Sequence, residues 1–391
     1  MRVSDQEFTR LRVLKMLRRM EPIGRTQLAQ ACGLTGTIIT EIISDLLRRE
    51  LVLEEKVSTG ARGRPRLDLR INSEGGYVVA AFCDWRRALR VEIVDLSGRS
   101  IFSYSAPMAD TQRLDVRARQ IADILADAID AGPAPREAIK NAAVALPAIV
   151  DSGNGQVRYF ASFEPGPCAF AEIIEQRLNI PTTIEGDVNV LARAVHWFGD
   201  GLAQEDLITI AFSLGLNAAH YKEGFVSTGA HGVNPELGHV KATYENGRRC
   251  ECGAFGCLQT YSSISAIIDQ ICERTDQASP PYYEWEPQMR RHIAAANAGE
   301  EPAREVIEKA GRYLGVAISN FLNVSDPDRI VVFFAEPGLI DLVSRPLHDA
   351  VEANTLPVLR GQATIELKAL DDSYYWKGAA AMALEQIYRT R

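Results

Sequence analysis

The segment Glu236-Leu237-Gly238-His239, followed by Cys250-Glu251-Cys252-Gly253-Ala254-Phe255-Gly256-Cys257, crowds three thiols and one imidazole together in a way that core packing does not ask for. The Cys-x-Cys and Cys-x4-Cys spacing, with His239 eleven residues before Cys250, supplies a four-coordinate Cys3His set suited to one structural Zn²⁺ per chain. Gly253 and Gly256 permit the tight reversal that aims all three sulfurs inward. The alternative, three unrelated free thiols, leaves the crowding unexplained. Seven cysteines is an odd count, and Cys32, Cys83, Cys168 and Cys272 are scattered, so metal rather than disulfide chemistry is expected of the cluster.

Around this segment β-branched runs alternate with amphipathic stretches. Strands are expected at 77–82, 88–95, 142–146, 182–185, 207–212, 330–334 and 364–367. Helices are expected at 113–131, 169–178, 187–198, 262–274, 303–323, 339–353 and 377–389. Alternation of this kind predicts α/β architecture. With 391 residues, 46% of them hydrophobic and 24% charged, the chain has the composition of an ordinary globular protein, which excludes disordered, collagen-like and coiled-coil classes. No apolar run approaches the roughly 18 residues of a membrane span, and Met1-Arg2-Val3-Ser4-Asp5 lacks a signal peptide's apolar stretch. No membrane insertion and a cytoplasmic location are the expectations.

Charge is unevenly spread. Net charge is −8, yet residues 1–70 carry 14 Lys+Arg against 9 Asp+Glu, which suggests a basic module meeting a polyanion on an acidic body. Phe8, Leu11, Leu14 and Leu17 recur at near-helical spacing in a first helix from Asp5 to Met20. A short helix over 25–32, a turn at Gly33-Leu34 and a third helix capped by Thr35 and running to about Glu50 complete a helix-turn-helix. Strands at 51–53 and 67–71 follow as a wing, and the junction near 71–76 marks a domain boundary. In such a module the third helix enters the major groove, which makes Thr35, Thr37, Ile38 and Thr40, with Glu41 beside them, the candidate base readers. Threonine bonds several base edges and touches the thymine methyl, so the operator sequence stays open. The wing carries Arg62-Gly63-Arg64-Pro65-Arg66, whose core matches the AT-hook peptide. There glycine lies on the minor-groove floor, proline keeps the chain extended, and Arg62, Arg64 and Arg66 suit the negative potential of a narrow A·T-rich groove. A solvated basic turn and a protein-binding bundle are the competing readings.

The His–Cys segment, Gly229-Ala230-His231-Gly232 before it, Asp187-Val188-Asn189 upstream and Gly378-Ala379-Ala380 opening the last helix together resemble the ROK family of repressors and sugar kinases. The resemblance spans essentially the whole chain and is nearest to the repressor branch that carries an amino-terminal winged helix. It implies a winged helix-turn-helix over 1–72 and an actin/hexokinase-like, ribonuclease H-like body over 73–391, with lobes of about 73–190 and 191–391. It also implies a sugar held between the lobes, and a homodimer or homotetramer. By the same resemblance Asp187 matches the base that takes a proton from the sugar hydroxyl in the kinases, while Glu236 and His239 hold other hydroxyls. His239 then serves zinc with one ring nitrogen and the sugar with the other. Asp187 is equally suited to cap a helix.

Departures from the family pattern decide between regulator and enzyme. Gly186 stands where the family has Asn, Gln259 where it has Glu, and Asn234-Pro235 where it has small residues, so the sugar expected differs from a glucose-type hexose. The phosphate-binding hairpin reads Cys83-Asp84-Trp85-Arg86-Arg87 without glycine, the second phosphate loop Ser213-Leu214-Gly215-Leu216-Asn217 keeps one, and Phe333-Phe334-Ala335-Glu336 replaces a Gly-Gly pair. The resulting expectation is a DNA-binding transcriptional repressor of carbohydrate genes. It answers to a sugar or sugar derivative and has no catalytic residues in use. The alternatives are a sugar kinase with an added DNA-binding domain and a regulator controlled by a protein partner.

Overall fold

The computed structural model describes residues 5–57, 66–83, 88–161, 163–199, 206–230, 232–281 and 284–389. At its amino-terminal end, α1 (Asp5–Met20), α2 (Arg25–Cys32) and α3 (Gly36–Arg48) enclose a core to which α3 contributes Ile39, Ile42, Ile43 and Leu46. Their spacing places all four on one helical face. Thr35 caps α3, its hydroxyl accepting the Ile38 N–H at 3.4 Å. The tight turn between α2 and α3 is made by Gly33 at φ 62°, a left-handed conformation that glycine adopts without penalty. β2 (Val52–Val57) and β3 (Arg66–Ile71) pair antiparallel from Val52↔Ile71 to Val57↔Arg66, as a wing requires. Between α1 and α2 a two-residue strand, β1 (Ile23–Gly24), pairs Ile23 with Leu69.

The chain then builds two five-stranded sheets. The first uses β4 (Tyr77–Cys83), β5 (Ala88–Asp95), β6 (Ser100–Pro107), β7 (Ile139–Leu146) and β10 (Thr182–Gly186) in the order β10-β7-β4-β5-β6. A small hairpin of β8 (Ile149–Asp151) and β9 (Gln156–Tyr159) lies between β7 and β10 in sequence. The second sheet uses β11 (Asp206–Phe212), β12 (Leu216–Lys222), β13 (Phe225–Val226), β14 (Arg329–Phe334) and β15 (Thr364–Ala369) in the order β13-β12-β11-β14-β15. In each, the first strand pairs antiparallel with a hairpin partner on one side and parallel with a later strand on the other. Parallel pairing needs a crossover, supplied by α4 (Leu114–Ala131) in the first sheet and by α7 (Ile264–Arg274), α8 (Trp285–Asn297) and α9 (Ala303–Ser325) in the second. The same strand order and direction twice over is an actin-like duplication, which agrees with the fold expected.

Contacts divide the chain into a unit of residues 1–203 and 373–391 and a unit of residues 204–372. The lobe boundary read at about 190/191 is therefore displaced. α6 (Asp187–Phe198) stays with the first unit, and the final helix α11 (Asp372–Arg389) returns to it. The reason is close packing. A Cβ on Gly378 would stand 1.8 Å from the Val190 carbonyl oxygen, so α11 approaches α6 as only a glycine allows. In the first unit α4 and α5 (Phe170–Leu178) bury the sheet through Ile121, Leu125, Phe170 and Ile174. α10 (Leu339–Asn354) packs along α9 in the second, where a Cβ on Gly311 would meet the Val343 carbonyl oxygen at 3.0 Å.

Candidate metal centre and nucleic-acid interface

The four expected metal ligands come together: the ligand atoms of His239, Cys250, Cys252 and Cys257 all lie within 4.8 Å of one another. Cys250 Sγ is 3.7 Å from His239 Nδ1, and Cys252 Sγ is 3.7 Å from Cys257 Sγ. A tetrahedral zinc centre has edges of about 3.8 Å between sulfurs and about 3.6 Å between sulfur and nitrogen, so the donors fit it, whereas a disulfide needs about 2.05 Å. His239 ends a 3-10 turn begun at Glu236, and the cysteines ride a loop closed by bridges of Lys241 with Cys257 and Arg249 with Phe255. Gly256, at φ 74°, carries the reversal, since a Cβ there would lie 2.1 Å from the Thr243 carbonyl oxygen. Burial pushes the Cys250 thiol up to about 11, while the Ala254 N–H helps hold Cys252 below the ordinary thiol range. A bound dication would favour the thiolate form of all three. Lys241 Nζ, 3.2 Å from Cys257 Sγ, adds positive charge beside the sulfurs.

Gln259 accounts for one departure noted in the sequence. Its Nε2 donates to Glu251 Oε1 at 3.0 Å and lies 3.5 Å from Cys250 Sγ, so the amide is engaged by the metal loop. Glu236 is half-buried, and its carboxyl is raised above the usual carboxylate range by burial, with His239 acting in the opposite sense. Nearby, Asn234 Oδ1, from the Asn234-Pro235 pair that departs from the family pattern, is buried without a hydrogen-bond partner among the described residues. Asp187 opens α6 in the first unit, half-buried, its Oδ1 accepting the Val188 N–H at 2.7 Å. Glu236 and His239, the other two residues expected to contact a sugar, belong to the second unit. Beside Asp187, Gly186 donates its N–H to Glu185 Oε1 at 3.0 Å, and Glu185 is almost fully buried, another site that the sequence did not reveal.

Of the three segments expected to be altered nucleotide elements, Asp84-Trp85-Arg86-Arg87 of the first lies outside the described residues. The second is a tight turn in which Ser213 N–H donates to the Gly215 carbonyl at 3.0 Å. In the third, Phe333 and Phe334 are wholly buried at the end of β14, where Phe334 stacks on Phe212 at 5.0 Å. Alternation along the strand sends the two rings to opposite sheet faces, so both belong to the core.

On α3 the expected base readers Thr35, Thr37, Ile38 and Thr40 are all exposed, and Glu41, Ser44 and Arg48 continue the same outward face. The Thr40 hydroxyl donates back to the Gly36 carbonyl at 2.7 Å. Arg10, Arg48 and Arg49 gather around Asp45; burial alone would raise that carboxyl, but the three cations hold it below the usual range. Arg62 and Arg64 lie outside the described residues, as does the side chain of Arg66.

A winged three-helix head on a body of two duplicated sheets with a Cys3His loop defines an actin-like, two-lobed protein carrying a helix-turn-helix. The chain belongs to the ROK family, which it matches over residues 100–386. It is 26% identical over 362 residues to the DNA-binding transcriptional dual regulator NagC of Escherichia coli, covering 90% of this chain and 87% of that protein. A solved ROK family transcriptional regulator, described as a homolog of the E. coli Mlc protein, superposes with a TM-score of 0.81 at 25% identity, over 98% of this chain and 96% of that one. A ROK glucokinase from Streptomyces griseus, solved with glucose and AMPPNP, superposes with a TM-score of 0.64 at 20% identity. It is covered to 99% but matches only 79% of this chain.

Proposed function

We propose that this chain is a sequence-specific DNA-binding transcriptional regulator, a repressor of carbohydrate genes, whose kinase-like body binds a sugar or sugar derivative without phosphorylating it. The observation that carries the reading is the outward face of α3, where Thr35, Thr37, Ile38 and Thr40 stand exposed opposite a fully buried Ile39-Ile43-Leu46 face. Residues 1–72 form the reading head and 73–391 the effector and oligomerisation body. A homodimer would set two heads on two half-sites of an A·T-rich operator, and a homotetramer two such pairs. One Zn²⁺, held by His239, Cys250, Cys252 and Cys257, orders the 236–260 segment. It leaves His239 Nε2 and the Glu236 carboxylate for sugar hydroxyls, and Asp187 is the further candidate sugar contact. Burial of Phe333 and Phe334 in the core and the absence of glycine from the sequence of residues 83–87 support loss of productive ATP binding, because phosphoryl transfer depends on positioning the phosphates. No helix among the described residues is long and apolar enough to cross a membrane, and we place the protein in the cytoplasm.

The test is selection of duplexes from a random pool followed by affinity measurements on Thr35→Ala, Thr37→Ala and Thr40→Ala. Enrichment of one pseudo-palindromic site, weakened by these changes and steeply salt-dependent, is the expected result. Absence of any enriched site sinks the reading and favours a protein-binding head.

A further inference from the structure

A line of buried alternating charges joins the Asp187 end of α6 to the DNA-reading head. Glu185, 2% exposed, is the penultimate residue of β10, two before Asp187. Its Oε1 accepts from Ser152 Oγ at 2.6 Å, Asn189 Nδ2 at 2.8 Å and the Gly186 N–H at 3.0 Å. Its Oε2 accepts from Arg193 Nη1 at 3.0 Å. The same guanidinium lies 3.5 Å from Oε2 of Glu385 on α11. Glu385, 3% exposed, accepts from Trp197 Nε1 at 2.7 Å and pairs at 3.9 Å with Lys15 on α1. Lys15 Nζ stands 5.1 Å from the Trp197 ring centre. One turn on, Arg18 lies 3.9 Å from the Phe198 ring centre and donates Nε to the Ser97 carbonyl at 2.8 Å. At the far end of the reading helix, Arg49 donates to the Ile387 carbonyl of α11.

Asn189, Arg193 and Trp197 follow one another at four-residue steps, so a single face of α6 carries the line from the Asp187 end toward α1, over about 12 Å at 1.5 Å per residue. Buried ion pairs hold domains together no better than apolar side chains of equal volume, so adhesion does not account for them. Their distinctive property is that the charges are paired with one another in this arrangement, so that shifting one partner disturbs the next, which gives the contact a register.

We propose that Glu185, Arg193, Glu385 and Lys15 form the coupling element of this regulator: a change at the Asp187 junction moves α6 and, through Glu385 and Lys15, the pose of α1 and the reading helix. Glu185 and Arg193 are positioning residues in this scheme. It rests on the reading above that Asp187 contacts the effector.

The test is a double-mutant cycle on Glu185→Gln and Lys15→Met in the full chain, read as affinity for a duplex selected by the wild-type protein. The residues stand at opposite ends of the line, so independent effects would multiply. Coupling predicts that the double variant is no more than about as impaired as the worse single one, a departure from multiplication of at least threefold. Effects that multiply overturn the proposal. Should Glu185→Gln fail to give a cooperative thermal melt, Ser152→Ala, which removes one hydrogen bond to the same carboxylate, takes its place. If no duplex is selected, amide exchange over α1 reads the same cycle. Calorimetry with neutral, amino and phosphorylated sugars separates the two ideas. If none binds wild type, the effector reading fails while the cycle still judges the coupling. If one binds, Lys15→Met should bind it with unchanged affinity yet lose most of its effect on DNA release. Release equal to wild type overturns the proposal.

Discussion

Replacing Ile43 by alanine separates what holds the reading helix from what it reads. Ile43 is completely buried, so the substitution removes three carbons from a closed core. At about 0.8 kcal/mol per methylene the transfer loss is roughly 2.4 kcal/mol, and the cavity left behind brings the total to about 3–4 kcal/mol. That is a large share of the roughly 5–15 kcal/mol that holds a folded unit, so the variant should melt well below wild type. Thr37→Ala, on the exposed side of the same helix, should change stability by less than about 0.5 kcal/mol. It should nevertheless cost one hydrogen bond to DNA, about 1 kcal/mol or roughly fivefold in affinity. Thermal melts followed by circular dichroism, with fluorescence anisotropy on the selected duplex, measure both. If Ile43→Ala melts like wild type, or if Thr35→Ala, Thr37→Ala and Thr40→Ala all bind DNA unchanged, the assignment of α3 faces is wrong.

Elemental analysis of protein never exposed to chelator should give one zinc per chain. Structural zinc contributes on the order of 10–16 kcal/mol of apparent binding free energy in peptides, so its removal should abolish exchange protection over 240–257; zinc-free protein with an ordered loop contradicts this. Arg62→Ala with Arg64→Ala should weaken binding most on A·T-rich flanks, and equal losses on A·T and G·C flanks refute a minor-groove role. Glu236 has a folded-state carboxyl raised by burial. Its contribution to stability is therefore present below the unfolded carboxylate pKa and is lost as pH rises through the folded one. Across the mildly acidic range wild type should therefore gain less stability with rising pH, or lose more, than Glu236→Gln does; identical pH dependence of the two melts places the carboxyl elsewhere.

Local signals were legible in the sequence and long-range ones were not. α3, β5 and the metal loop are written in contiguous spacing: the Ile39-Ile42-Ile43-Leu46 stripe, the β-branched run at 88–95, the Cys-x-Cys cluster. The sequence reading missed β6 because no residue of Ser100–Pro107 is fully buried, so an edge strand left no apolar run. It missed β12 because His220 and Lys222 alternate with Ala218, Ala219 and Tyr221 on a strand that follows a glycine turn. α8 was hidden by Pro287 inside a polar, alanine-rich stretch. α11 begins at Asp372 rather than 377, since Tyr375 packs on Phe82 with ring centres 5.3 Å apart. The Glu185–Arg193–Glu385–Lys15 line was invisible for the same reason: Trp197 and Glu385 meet across 188 residues, a pairing that only the folded helices create.

Anisotropy of the selected duplex bound to the full chain, titrated with neutral, amino and phosphorylated sugars with and without ATP and Mg²⁺, bears most directly on the central claim. A sugar that shifts DNA affinity at least tenfold in wild type, loses that effect in Asp187→Ala and Glu236→Ala, and is recovered unphosphorylated is the predicted outcome. Sugar-dependent ATP turnover at ordinary kinase rates, about 1–100 per second, contradicts it.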